Sequence, residues 1–397
     1  MNSARQVINY VNAGHFIVHY AMLIFAAAVV VMAPVFGKSY AQMLPCATPG
    51  FIVFGAGSLL TGWLGDRWSR RHMMVLFFLG IGLALIATGL VNSPLQLTLA
   101  LFAIGAFAAI YHPVGTAMLV SYAERRGREV GINGVWGNLG VAFAALATGA
   151  LCQWLGWRWA FILPGLLSIA IGIGFLLAVK NERVTAAKAQ QGAARISARD
   201  MKRVILAMVV TVIASSTTFN AVTVVIPKLF EERLLALAQS PAWIGFIAAG
   251  VYLFGALAQY VIGHLIDRHS LKSVFLPMAF VVAPLLAISA RLIDLPLVLA
   301  MIGIIIGIFG QVTINDAMVA KYTNEQWRSR AYAARYFIGF TAAGASVALV
   351  AWLHERGGSG LMLQAFAGLN LLIMLGALVF PNDRQHASAL SEAEARS

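Results

Sequence analysis

Long apolar segments of about twenty residues or more, parted by short polar breaks, limit this chain to very few folds. Each is long enough to cross the roughly 30 Å hydrocarbon core of a bilayer as a helix. Spanning backbone must satisfy its own hydrogen bonds, so the expected fold class is all-α integral membrane. The runs and their breaks predict twelve transmembrane helices at about 10–34, 41–64, 73–92, 95–121, 130–153, 157–179, 204–227, 241–265, 273–292, 296–320, 331–353 and 359–380. The first run is too long for a signal-peptide core and has no clear cleavage site, so it reads as the first crossing. With 60% hydrophobic and 11% charged residues and a mean hydropathy of +0.82, the chain carries more apolar surface than a water-soluble fold needs.

The charge pattern orients these crossings. Net charge is +13, which in a soluble protein would suggest a nucleic-acid partner. Here the basic residues sit in short connections, so topology and anionic lipid explain them and no nucleic acid is expected. Of 28 Lys and Arg residues, only Lys38, Arg158, Lys228, Arg233, Arg291 and Arg356 fall in one set of connections. The rest collect in the other set, which the positive-inside rule assigns to the cytoplasm, together with both termini. The expected location is the cell inner membrane. Cys46 and Cys152 are expected to be buried free thiols.

One connection is especially informative. Residues 57–74 read GSLLTGWLGDRWSRRHMM: an apolar, small-residue run ends at Asp66, and Arg67, Arg70, Arg71 and His72 follow. The pattern Gly62-x-Leu64-x-Asp66-Arg67-x-x-Arg70-Arg71 recurs about 200 residues later as Gly263-His-Leu-Ile-Asp267-Arg268. Ala117-Met-Leu-Val-Ser-Tyr122 likewise recurs as Ala317-Met-Val-Ala-Lys-Tyr322, and Arg126/Arg128 as Arg328/Arg330. Matches in the same order define an internal repeat. It divides the chain into a six-helix bundle over 1–180, a polar linker at 181–203, a second bundle over 204–380, and a polar tail at 381–397. The 62–71 pattern resembles the signature loop of major facilitator superfamily transporters, with Ser69 where that family usually has Gly. The resemblance implies two pseudo-symmetric six-helix bundles of like orientation, with substrate handled between them near mid-membrane. It also implies a gating role for Gly62, Asp66, Arg67, Arg70, Arg71, Asp267 and Arg268, with Asp66 and Asp267 pairing to neighbouring helix starts to hold an outward-open state.

Polar groups inside spans are costly and therefore functional candidates. His15 and His19 lie four apart on span one and face the same way. His112 follows Tyr111 on span four, and counting at 1.5 Å per residue puts His19 and His112 at similar depth, about 6 Å from their span centres. Facing inward together, they could share a proton, an anion or a metal. Asn133, Trp136 and Asn138 on span five and Asn220 on span seven extend the set. Gln311, Asn315 and Asp316 on span ten form a matching patch in the other half, with Arg335 as the partner of Asp316 and Tyr336 nearby. Each also has a plain structural reading: interfacial His15, His112 serving the Pro113 break, a structural Asp316–Arg335 latch, packing aromatics, or helix–helix hydrogen bonds.

Tyr111-His112-Pro113, then Gly131-x-Asn133-Gly134-x-x-Gly137-Asn138-x-Gly140, is similar to the fosmidomycin-resistance group of the superfamily. That likeness implies export of a small, often anionic or drug-like solute. Proton coupling is expected, with no cofactor, and a monomer suffices for this architecture. The chain departs from the superfamily in having Tyr111 in place of the span-four Arg, and in lacking a Gly-Pro step on span five. Proton coupling would then rest on His19, His112 or Asp316. An importer of an organic acid or siderophore-like solute, and a transition-metal transporter using His15, His19 and His112, remain alternatives, although no resident metal is expected. An enzyme would need an acid, base or metal cluster open to water; no such motif is present, so none is expected.

Overall fold

A computed structural model of the chain describes residues 4–124, 126–180, 198–237, 240–322 and 325–380, without the side chains of 66, 126–127, 198–201, 320, 325–334 and 336. Most of the expected linker and all of the 381–397 tail lie outside the described residues.

The helices follow the apolar runs. They are α1 (Ala4–Val35), α2 (Thr48–Arg67), α3 (Arg70–Gly89), α4 (Pro94–Tyr122), α5 (Arg126–Trp154) and α6 (Trp157–Ala178). The second half repeats the series with α7 (Ala198–Arg233), α8 (Pro241–Arg268), α9 (Leu271–Ser289) and α10 (Asp294–Tyr322). A final run, Glu325–Val379, is helical on both sides of a break at Gly357 and Gly358, where φ/ψ are −157/20 and 63/−165. Its apolar part, Phe337–Val379, has 43 residues. Unbroken, that would be about 65 Å of helix, twice the thickness it must cross. The break turns it into two crossings, α11 (325–356) and α12 (359–379), so the eleven long apolar runs make twelve crossings. Gly358 supplies a left-handed φ that side chains with a Cβ resist.

Outward-facing side chains show what solvent the fold is built for. Leu177, Leu95, Leu99 and Leu295 are 79%, 69%, 60% and 56% exposed. Large apolar groups facing outward all round the bundle fit a hydrocarbon surround. Inside, aromatic and branched residues pack each half, and both thiols, Cys46 and Cys152, are buried and free.

Short connections are closed by local chemistry. Ser69 is the N-cap of α3, extended at φ −152, and its hydroxyl accepts from the His72 N–H. Where the family usually has Gly, this chain therefore has a capping side chain. Arg71 donates to the Val179 carbonyl and, at 2.6 Å, to the Leu176 carbonyl, placing a cation on the C-terminal end of α6, where the helix dipole favours it. Arg70 donates to Ser121 Oγ on α4 at 3.0 Å, and the Arg67 guanidinium lies 4.5 Å above the Trp63 ring. The basic residues thus fasten α3 to α4 and α6, while Arg67 folds back on its own helix.

Among the described residues, the halves approach closely on the face away from these loops. A Cβ added at Gly149 on α5 would lie 2.3 Å from the Pro241 carbonyl oxygen, and one at Gly245 on α8 would lie 2.4 Å from the Ala145 oxygen. Beside this contact the Ala242 N–H donates to Gln153 at 3.1 Å, and the Tyr40 ring lies 5.1 Å from that of His354, tilted by 59°. On the basic face, by contrast, Asp267 and Arg268 are exposed. The expected pairing of Asp267 and Arg268 with the start of α5 falls on side chains 126–127, which lie outside the described residues. The Asp66 side chain lies outside the described residues.

Candidate functional site

Three histidines from two helices converge in the first half. Asn133 on α5 fixes the first: His15 Nδ1 lies 2.7 Å from the Asn133 carbonyl oxygen. That oxygen can only accept, so Nδ1 carries the proton, and a neutral His15 presents a bare Nε2. His19 Nε2 lies 3.2 Å from that atom. The His112 ring stands 5.5 Å from each of the other two, edge-on. One ring nitrogen from each of the three lies within 4.8 Å of the others, and all three residues are half-buried.

The backbone of α4 brings His112 in. Residues Tyr111–Gly115 form a single π-turn, after which the helix resumes as Thr116–Tyr122. Pro113 has no N–H to donate, so a regular α-helical bond is lost and the turn widens. Widening rotates Tyr111 and His112 together toward α1. Tyr111 is fully buried and stacks on His15, with 5.0 Å between ring centres and 20° between planes. Its hydroxyl donates to the Val11 carbonyl at 3.0 Å and receives the Asn133 amide at 2.9 Å. The same amide donates to Asn12 Oδ1 at 2.9 Å. Asn12 is 2% exposed and completes the support. Glycines make the room: a Cβ at Gly137 would lie 2.7 Å from His15 Nε2, and one at Gly140 2.3 Å from the Phe16 oxygen.

The cluster lies against the second half. The Phe340 ring of α11 is 5.0 Å from His112 and 4.4 Å from Phe54 of α2. A few residues along, Asn138 donates to Gln259 of α8 at 2.6 Å. Trp136 is 40% exposed and takes no part in the cluster.

The second half holds its polar groups differently. Gln311 donates to Asn315 at 3.1 Å, and Asn315 donates to Ser215 on α7 at 2.8 Å. Both amides are 3% exposed and are satisfied between α7 and α10. Asn220 donates at 2.8 Å to the Ser216 carbonyl of its own helix. Asp316 pairs with Arg335 at 2.5 Å, and Arg335 also donates to the Val312 carbonyl at 3.2 Å. The Tyr336 side chain lies outside the described residues. Asn12 and Phe340 escaped the sequence reading. An i, i+3 pair of Asn12 with His15 was the available signal for the first, whereas nothing local marks Phe340.

A helical membrane protein of twelve crossings, built as two like halves with a polar cluster at their seam, is the class that this geometry defines. The chain belongs to the Major Facilitator Superfamily, whose family model matches residues 11–234 and 208–397. Members of that family are membrane transporters, not enzymes. The chain is 31% identical over 135 residues to puromycin resistance protein pur8 of Streptomyces alboniger, covering 33% of this chain and 27% of that one. Against a Na(+), Li(+), K(+)/H(+) antiporter of Planococcus maritimus it is 23% identical over 89% of this chain and 91% of the other. Matches to several other relatives are partial as well, spanning 29–36% of those proteins' lengths. Among solved structures, a bacterial homologue of the human lysosomal transporter Spinster, inward-facing and occupied, superposes with a TM-score of 0.74 at 13% identity. That match covers 95% of this chain and 94% of the other and speaks for the fold.

Proposed function

We propose that the protein is a secondary transporter that exports a small organic solute by alternating access, driven by protons, with its basic face toward the cytoplasm of a bacterial inner membrane. The observation that carries this reading is the His15–His19–His112 cluster at the seam between the halves, next to Phe340 of the opposite half. Imidazole is the side chain whose charge changes across a physiological pH gradient. Protonation of the cluster would place charge beside a contact that must open and close, and this couples the proton to the rocking of the halves. His15, held by the Asn133 carbonyl and stacked on Tyr111, is the fixed member. His19 can pass a proton to His15 Nε2 along their short contact, and His112 stands nearest the moving half. The names of the antiporter and of the resistance protein favour export against an inward proton flux.

The test is solute-triggered proton movement in proteoliposomes loaded with a pH dye. Small anionic and drug-like compounds, fosmidomycin and puromycin among them, are offered under an imposed pH gradient. At least one should drive proton flux through the wild type, and His112→Ala, inserted at the same level, should abolish it. Unchanged pH-driven flux in that variant would remove His112 from the mechanism.

A further inference from the structure

The distances within the histidine cluster suit a cation other than the proton. A tetrahedral ion with bonds of 2.0–2.1 Å to imidazole holds its nitrogens about 3.3 Å apart. His15 Nε2 and His19 Nε2 already stand 3.2 Å apart, and a nitrogen of His112 completes a triangle no wider than 4.8 Å. A small rotation of the His112 side chain closes the remaining gap. We infer that His15, His19 and His112 form a binding site for one divalent transition-metal ion of the Zn2+, Co2+ or Ni2+ kind.

Further observations point the same way. His15 gives its other ring N–H to a backbone carbonyl at 2.7 Å, the outer-shell contact that fixes the tautomer and raises the basicity of a metal-bound imidazole. The π-turn, with its proline, aims His112 at the two residues of α1. Phe54, Tyr111 and Phe340 pack around His112, and an aromatic shell of this kind limits the access of competing water to a metal site. The donor set is three neutral nitrogens with no carboxylate, which favours these ions over Mg2+ or Ca2+. Three protein ligands leave one tetrahedral position for water or an anionic donor of the solute. This inference deepens the transport proposal in using the same cluster, but it is tested with no gradient and no solute.

Protein purified through a histidine-free tag is titrated with ZnCl2 by calorimetry and with CoCl2 by visible absorption. The expected result is one saturable Zn2+ per chain and the intense ligand-field bands of a four-coordinate Co2+ site, which Zn2+ displaces. Affinity should fall as pH drops, since ligand nitrogens must lose their protons. His19→Ala and His112→Ala should each weaken binding at least tenfold, and the conservative His112→Asn should behave alike if the alanine variant folds poorly. His264→Ala, an exposed site on α8, should bind as wild type does. Absence of saturable heat and of Co2+ bands in the wild type would overturn the inference, as would undiminished binding in the His19 and His112 variants. Failure of metal binding with intact His112-dependent proton flux would leave the transport reading standing. Metal binding without any flux would do the reverse.

Discussion

Adding a methyl group at Gly149 or Gly245 should push the halves apart on the face away from the basic loops. The new Cβ at 149 would lie 2.3 Å from the Pro241 oxygen and 3.2 Å from the Gly245 Cα, and the one at 245 would lie 2.4 Å from the Ala145 oxygen. Ordinary contact begins about 1 Å further out. The groups in the way are helical backbone on both sides, which does not yield as a flexible side chain would. Relief must therefore come from separation or tilting of α5 against α8. Overpacking on this scale costs about 1–3 kcal/mol. If the cost falls only on the arrangement seen here, it shifts the balance between conformations by about 5–150-fold. Nitroxide pairs across the seam would read the shift by pulsed electron resonance. Leu155 with Leu235 reports on the far face, and Trp68 with His269 on the basic face; all four are exposed. In Gly149→Ala/Gly245→Ala the far pair should lengthen and the basic-face pair should shorten. Distance distributions that coincide with wild type on both faces would refute the claim that this backbone approach holds the closed end.

Other perturbations follow from the same geometry. Arg335→Gln takes the guanidinium away from Asp316, whose side chain is 37% exposed against 10% for Arg335, and should cost about 1–2 kcal/mol, less than a fully buried pair. Asp316→Asn with Arg335→Gln should recover much of that in detergent thermal unfolding, and equal losses in single and double variants would show the two are uncoupled. Gly358→Ala, at φ +63, should destabilise by about 1–3 kcal/mol in the same assay, while Gly368→Ala on the open side of α12, with nothing within 4 Å of its Cβ, should be neutral or better. Phe340→Ala removes the ring lying against His112 and should give proton leakage without solute in dye-loaded proteoliposomes; a membrane as tight as wild type would contradict a sealing role.

What could be read in the chain was what depends on one helix at a time. Apolar length gave all twelve crossings, including the break before α12, because the polar run after Leu353 ends in two glycines. Spacing of four placed His15 and His19 on one side of α1, since helical period is a local property. What lies across the seam escaped the reading. Backbones of the two halves approach closely at Gly149 and Gly245, and a glycine in a sequence does not say what it lies against. The π-turn at Tyr111–Gly115 was hidden for a related reason: Pro113 announces a lost hydrogen bond without saying whether the helix kinks, ends or widens. Gln311 and Asn315 are a third case. Their polarity marked them as a candidate patch, and their partners, Ser215 and each other, come from α7 and α10 of their own bundle, which spacing along one helix does not reveal.

The two halves repeat one architecture but divide the chemistry unequally, and α11 joins the two parts. In the first half the titratable groups sit at the seam; in the second the buried amides are tied to α7, and the charged pair Asp316–Arg335 lies toward the basic face. Phe340 and Arg335 are on the same helix, so the contact with His112 and the pair with Asp316 are about 7.5 Å apart along one rigid rod. A change in charge at His112 acts on one point of that rod, and the ion pair holds another. Each therefore biases the same element, which is the physical condition for coupling between sites. A proton or a metal ion arriving at the histidines need not signal through a chain of side chains; it has only to alter how favourably α11 rests against α2 and α4.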